Sequence, residues 1–305
     1  MESSAVYIGF DGGGSTSRFM VKRGNAEPEM HTFGLNMKYS DLGIKESARL
    51  FTACLNGILG AEISLVKAIC ISLSGASDAL MNKDLEQALK NELNSPKLKL
   101  HIESDSSFTL ETAYPGDKSG MLLIAGTGSV AIAKKRNGEI VKVGGWGRLL
   151  GDGGSGYWIG LQALKHYCKV MDGAESAGEL FVNIGEKLHD ETRSGLSPLR
   201  SELYRGKIKP QDYAPLVFES LAADPAAEDI LFDAAGNLMI DLETLSNKVT
   251  GVSDQVVTLH GAIARQSFIY NSIEESCKAL GLKCELLADD QVLRRASEVS
   301  ENLYS

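Results

Sequence analysis

The residues best suited to chemistry are Asp11 and the run that follows it, Gly12-Gly13-Gly14-Ser15-Thr16-Ser17. Successive residues without Cβ let backbone N–H groups come close to a ligand, and a turn lined by amides favours anions. The adjoining carboxylate is a hard oxygen ligand, suited to a divalent metal that accompanies those anions. The same residues also fit an ordinary tight hairpin with a surface aspartate. A second turn of similar make-up, Gly126-Thr127-Gly128-Ser129, favours a shared task for the two. The third candidate is Asp105, after the alternating residues Leu98, Leu100 and Ile102 and just before a short helix. Open α/β sheets bind ligands at that lip. A carboxylate there can take a proton from a hydroxyl, or it can simply cap the helix.

Several chemistries are excluded. A Walker loop needs a Lys after its glycines, and none stands there. Gly126-x-Gly128-x-x-Ala131 matches the dinucleotide fingerprint formally, but that fingerprint opens a helix, whereas Val130–Lys135 alternates like a strand. His31, His101, His166, His189 and His260 have no metal-ligand spacing. The five cysteines form no C-x-x-C pair, and Cys277 and Cys284 read as too isolated for a metal or cluster.

Both glycine turns lie between strands. Tyr7–Phe10 and Arg18–Lys22 flank the first, with a further strand at Met30–Phe33; Met121–Ala125 and Val130–Lys135 flank the second. IGFDGGGSTSRFMVKRGN and LLIAGTGSVAIAKKRNG thus repeat one arrangement, which implies two duplicated halves. In the first half, helices are expected over Ile44–Leu59, Asp84–Leu93 and Ser106–Tyr114. Val66–Leu73 is a continuous apolar run, the mark of a strand buried on both faces. Pro115-Gly116-Asp117 marks the boundary, giving domains 1–115 and 116–305, with the last helix a candidate to pack back on the first domain. In the second half a helix follows Ser155, its expected N-cap, and Trp158 falls at core spacing. Residues 176–248 are mostly helical in pattern, with the longest stretch at Ala226–Lys248. Strand Val256–Leu259, helix Ser267–Leu280, strand Cys284–Ala288 and helix Gln291–Leu303 complete an α/β chain whose hairpins make its sheets mixed.

With 305 residues, the chain suits two such domains. A net charge of −9 argues against a nucleic-acid surface, which needs a basic excess. No apolar run approaches a membrane span of ~18 residues. The scattered thiols and the lack of a basic leader fit a cytoplasmic protein.

DGGGSTS, SLSGAS, the Asp105 segment, LLIAGTGSVA, GGWGRLLGDGGSGYWIG and HGAIA occur in an order that spans nearly the whole chain. In them the chain resembles the actin-like ATPase and sugar kinase superfamily. Within it, the chain looks like the N-acetylglucosamine kinase branch of the BadF/BadG/BcrA/BcrD ATPase family. That branch often has an acidic residue where this chain has Gly153. The resemblance implies two actin-like (ribonuclease H-like) domains with an active-site cleft between them. It implies ATP and Mg2+ as cofactors, with Asp11 holding the metal through water. Gly13, Gly14, Ser15 and Thr16 would bind the β- and γ-phosphates, opposed by Gly126, Thr127, Gly128 and Ser129. Gly261 and Ala262 would lie under the adenosine; Asn36, Trp146, Gly147 and Asp152 would contact the sugar; Asp105 would be the general base.

The expected activity is phosphorylation of the 6-hydroxyl of N-acetylglucosamine by a homodimer that engages no nucleic acid or membrane. Glucosamine or N-acetylmuramic acid are alternative substrates. A second alternative is an ATPase that activates a partner reductase through an iron–sulfur cluster, for which no suitable cysteine pair is visible. A third is a sugar-sensing module, which would have no use for the base.

Overall fold

The computed structural model describes residues 5–192, 197–249 and 256–304. They form two compact units: Met1–Gly116 with Ala288–Ser305, and Asp117–Leu287.

The first unit is built on β1 (Val6–Gly12), β2 (Ser17–Arg23), β3 (Glu29–Phe33), β4 (Val66–Leu73) and β5 (Lys99–Ser104). They make one mixed sheet in the order β3-β2-β1-β4-β5. β1, β2 and β3 run antiparallel, whereas β4 and β5 continue from β1 in parallel. Val6, Ile8 and Phe10 of β1 are buried, and the Phe10 ring lies 4.8 Å from that of Phe19 and 4.9 Å from that of Phe51. Among its helices are α1 (Tyr39–Leu42), α2 (Ile44–Leu59), α3 (Ala79–Glu92) and α4 (Asp105–Ala113). α2 has the bounds its apolar spacing predicts, burying Ala48, Phe51, Leu55 and Leu59. α3 starts five residues before its apolar pattern. The Asp78 carboxylate accepts from the N–H groups of Leu80 and Met81, so a first turn that leaves Ala79 and Leu80 exposed is held by its cap.

The C-terminal helix, Gln291–Asn302, lies across β1 in this unit. Its approach needs Gly9, because a Cβ there would stand 2.5 Å from Ser297 N and 2.9 Å from Leu293 O.

The second unit repeats the plan. β6 (Gly120–Ala125), β7 (Ser129–Lys134) and β8 (Ile140–Gly144) form an antiparallel run. β9 (Val256–His260) and β10 (Lys283–Leu286) extend from β6 in parallel, giving β10-β9-β6-β7-β8. The mixed, duplicated sheets expected from the two hairpins are therefore present. β8 was not anticipated: it is an edge strand without a fully buried residue, so it carries no strong apolar pattern. Between β8 and β9 come α5 (Gly156–Met171), α6 (Glu179–Thr192), α7 (Ser197–Tyr204), α8 (Ala214–Glu219) and α9 (Pro225–Lys248), with α10 (Ser267–Ala279) after β9. Asp224, buried, caps α9 through Ala226 N–H and also accepts from Leu180 N–H of α6, tying two helix starts together. Trp158 packs against this core, as its spacing predicts.

Candidate active site

The chemistry-bearing residues of the first unit sit at the C-terminal ends of β1, β4 and β5. Gly13 N–H donates to Thr16 O at 2.9 Å, closing a turn between the paired residues Gly12 and Ser17. Neither Gly12 nor Gly13 has positive φ. Gly12 is needed for space instead: a Cβ would lie 2.6 Å from the Phe10 ring and 2.9 Å from Leu73. Asp11 and Arg18 face one another across β1 and β2, and the guanidinium pairs with Asp11 Oδ2. Arg18 also donates to Asp289 O, at 2.9 Å. Ser72 of β4 reaches Asp11 Oδ1 at 3.4 Å.

Asp105 is the first residue of α4, and Ser104 is the cap: its Oγ accepts from Ser107 N–H at 3.3 Å. The capping role that the sequence left open for Asp105 is thus filled by its neighbour. Asp105 Oδ1 accepts from Ser106 N–H at 2.7 Å. Burial pushes its carboxyl above the ordinary aspartate range, and the charge of Asp11 pushes the same way; the Lys38 ammonium and hydrogen bonds from Ser106 N–H and the Ser74 hydroxyl pull back. Asn36, half-buried, donates from Nδ2 to Asp41 at 2.8 Å and accepts at Oδ1 from Lys38 N–H at 2.9 Å. The second bond is the turn role weighed for it beside a sugar contact.

In the second unit the expected residues also converge. Gly126 N–H donates to Gly128 O at 2.9 Å, and the start of α5 is laced to this turn through Gly156 N–H to Gly126 O (2.8 Å) and Tyr157 N–H to Thr127 O (3.1 Å). Ser155 caps α5, as expected, through its hydroxyl and Trp158 N–H. A helix start beside the turn adds the positive end of a dipole, which favours phosphate. Nothing in the sequence spacing pointed to that juxtaposition. The Ser129 hydroxyl donates to Gly153 O at 2.9 Å, and a Cβ on Gly128 would stand 3.0 Å from Asp152 Oδ2. Asp152 itself adopts φ +59. Gly261, at φ +105, lies against the end of β6, where a Cβ would be 2.4 Å from Ala125 O. Ile263 and Ala264 both donate to that carbonyl, at 3.0 Å each.

Trp146 is 75% exposed, with Leu149 and Leu150 exposed beside it. Gly147 O turns this loop by accepting from Leu150 and Gly151 N–H, and Gly151 packs on Trp146 next to Asp152. Asp241 of α9, unnoticed in the sequence, is pushed up by burial and then by the neighbouring Asp152.

Asp11 can hold Mg2+ as one carboxylate, since this ion keeps several waters and takes its other ligands from phosphates. Among the described residues no three His, Cys, Asp or Glu side chains cluster, so the donor set suits that mode and not a protein cage. Burial pushes the Cys277 thiol up to about 12, and the neighbouring Cys284 pushes it the same way. Cys277 is wholly buried, which suits packing and not a cluster at a surface.

The family model described as the BadF/BadG/BcrA/BcrD ATPase family matches residues 8–284. The chain belongs to that family. It is 31% identical over 255 residues to the N-acetyl-D-glucosamine kinase of Dictyostelium discoideum, covering 79% of this chain and 78% of the relative. It is 26% identical over 277 residues to the N-acetylmuramic acid/N-acetylglucosamine kinase of Clostridium acetobutylicum, covering 88% and 89%. A solved structure from Chromobacterium violaceum, proposed to be an N-acetylglucosamine kinase, superposes with a TM-score of 0.72 at 23% identity over 99% of both chains. The ROK hexokinase of Thermus thermophilus does so with 0.51 at 15% identity, over 97% of this chain and 98% of the other. The fold is that of the actin-like sugar kinases. No helix among the described residues is long and apolar enough to cross a membrane.

Proposed function

We propose that this protein is an ATP-dependent amino-sugar kinase that transfers the γ-phosphoryl group to the 6-hydroxyl of N-acetylglucosamine. The observation that carries this reading is Asp105: a carboxylate at a strand end, relieved of capping by Ser104 and within electrostatic reach of Asp11 beside the glycine turn. Phosphoryl transfer asks a protein mainly for alignment and charge neutralisation, plus one group to accept the hydroxyl proton. In this reading Asp105 is that base. Gly13, Gly14, Ser15 and Thr16 bind the terminal phosphates, as do Gly126, Thr127, Gly128 and Ser129. The dipole of α5 backs the second turn. Gly261 and Ala262 lie under the adenosine, where the tight packing of Gly261 on Ala125 leaves no room for a side chain. Mg2+ on Asp11 would offset charge on the transferring group. Asn36, Asp152, Trp146 and Gly147 bind the sugar, Asn36 exchanging its Asp41 contact for a hydroxyl. The protein acts in the cytoplasm as a homodimer.

The name of the Clostridium relative favours N-acetylmuramic acid as a second substrate. The test is ATP consumption with glucosamine, N-acetylglucosamine, N-acetylmannosamine, N-acetylmuramic acid and glucose. Strongest stimulation by N-acetylglucosamine supports the reading, and no stimulation by any sugar overturns it.

A further inference from the structure

The glycine turn proposed to bind phosphate carries a carboxylate of its own. Asp11 stands at the end of β1, one residue before Gly12 and Gly13. A bare carboxylate there would repel the anion that the turn favours. It is not bare. Arg18 lies directly opposite on β2, and its Nη2 donates to Asp11 Oδ2. Its other terminal nitrogen, Nη1, donates to Asp289 O at 2.9 Å. We infer that Arg18 is the resident counter-cation of Asp11: it neutralises the carboxylate when no metal does so, and thereby lets the turn take up nucleotide phosphates without a metal. This inference rests on the reading of that turn as a phosphate site.

The pair is built to persist. A guanidinium presents its donors in a rigid plane, so an acceptor on each terminal nitrogen sets both its position and its orientation. Both acceptors are anchored. Asp11 belongs to β1, which lies between β2 and β4 in the sheet. Asp289 leads into the C-terminal helix, which lies across β1 where Gly9 admits it. The Ser72 hydroxyl approaches the other carboxylate oxygen, Oδ1, at 3.4 Å. Only 14% of the Asp11 side chain and 23% of the Arg18 side chain are exposed, so salt screens this attraction less than it would at an open surface. A divalent ion on Asp11 supplies the same neutralisation when bound, so Arg18 matters most in its absence. An arginine that gripped the phosphates itself would behave differently: it would matter with or without the metal, whatever residue stood at position 11.

The experiment titrates a non-hydrolysable ATP analogue calorimetrically into the full-length protein, once in EDTA and once in excess Mg2+. The variants are Arg18→Gln, Arg18→Lys, Asp11→Asn and the double Arg18→Gln/Asp11→Asn. In EDTA, Arg18→Gln is expected to weaken binding roughly tenfold or more, because the carboxylate then faces the phosphates unpaired. With Mg2+ the same variant should lose less than about threefold, since the metal does the neutralising. Arg18→Lys keeps the charge and most of the affinity. Asp11→Asn binds in EDTA at least as well as the parent, and the double variant stays within about threefold of Asp11→Asn, because the two residues act as a unit. Parental affinity of Arg18→Gln in EDTA overturns the inference, as does a parent that binds the analogue only with Mg2+. An equal loss on removing Arg18 with Asp11 or with Asn at position 11 also overturns it, since Arg18 would then act on the nucleotide itself. Should Arg18→Gln alone not fold, the double variant against Asp11→Asn carries the test, and a difference of about tenfold between them in EDTA overturns it. A parent that binds the analogue in neither condition would instead overturn the phosphate reading of the turn, so the two failures are told apart.

Discussion

The two units share a strand order yet differ in what stands at the strand ends. In each, an antiparallel hairpin opens the sheet and the turn after the next parallel strand bonds back to its first strand: Ser74 N–H to Gly12 O in one, Ile263 and Ala264 N–H to Ala125 O in the other. Each turn carries one glycine in the left-handed region, Gly75 or Gly261. The chemistry is not duplicated. Where the repeated segments align, IGFDGGGS with LLIAGTGS, the first unit has Asp11 and the second has Ala125. After the outer parallel strand the first unit has Asp105, whereas the residue after β10 in the second is Leu287. A duplicated scaffold has thus kept its anion-favouring turns in both copies and its carboxylate pair in one. The asymmetry suits a reaction that needs one base and not two.

The largest effect follows from that asymmetry. Asp105→Asn removes the proton acceptor but keeps shape, so kcat should fall about 10²- to 10⁴-fold with substrate binding preserved. Turnover assays together with calorimetric titration of ATP and sugar check both halves of this expectation. The next effect tests how each sheet is covered. Gly9 admits the C-terminal helix, while the aligned residue of the second unit is the buried Leu123. Gly9→Ala should therefore destabilise the first unit by about 1–3 kcal/mol, since a methyl would press on helix backbone that cannot yield cheaply. Urea unfolding followed by near-UV circular dichroism would read it, and an unchanged midpoint would show that the helix has room to move. Smaller again is the contrast between the two left-handed glycines. Gly261→Ala meets the Ala125 carbonyl, whereas Gly75→Ala meets only the Ser40 hydroxyl at 3.5 Å. The first should lower the unfolding midpoint more than the second, which carries only the left-handed penalty of about 1–2 kcal/mol.

The sheets were legible in the sequence because their signal is local. Val66–Leu73 and the two hairpins carry enough buried apolar residues to specify strands unaided. β8 was missed because its residues are at most half-buried, and the first turn of α3 because a cap, and not burial, holds it. The site was legible as separate segments. Its connections were not, since no spacing rule links Ser74 to Asp105, Gly156 to Gly126, or Asp241 to Asp152.

The units are alike once more in that each contains a carboxylate raised by burial with a second carboxylate near it. They differ in compensation. Asp105 is pulled back by Lys38 and by hydrogen bonds from Ser106 N–H and Ser74, whereas Asp241 is pushed only upward, by burial and by Asp152. For an acid whose folded pKa lies above its unfolded one, ionisation is disfavoured in the fold. Its favourable contribution is full below the ordinary aspartate value of about 3.9 and is lost as pH rises through the folded value. At neutral pH both residues therefore work against stability, Asp241 with less to offset it. Asp241→Asn and Asp105→Asn should each raise Tm at pH 7. Both gains should vanish as the pH falls below the ordinary aspartate range, where parent and variants are equally neutral at these sites. Thermal unfolding from pH 3 to pH 8 decides the matter: a gain that grows toward acid pH would mean that the carboxylates are stabilised as anions in the fold.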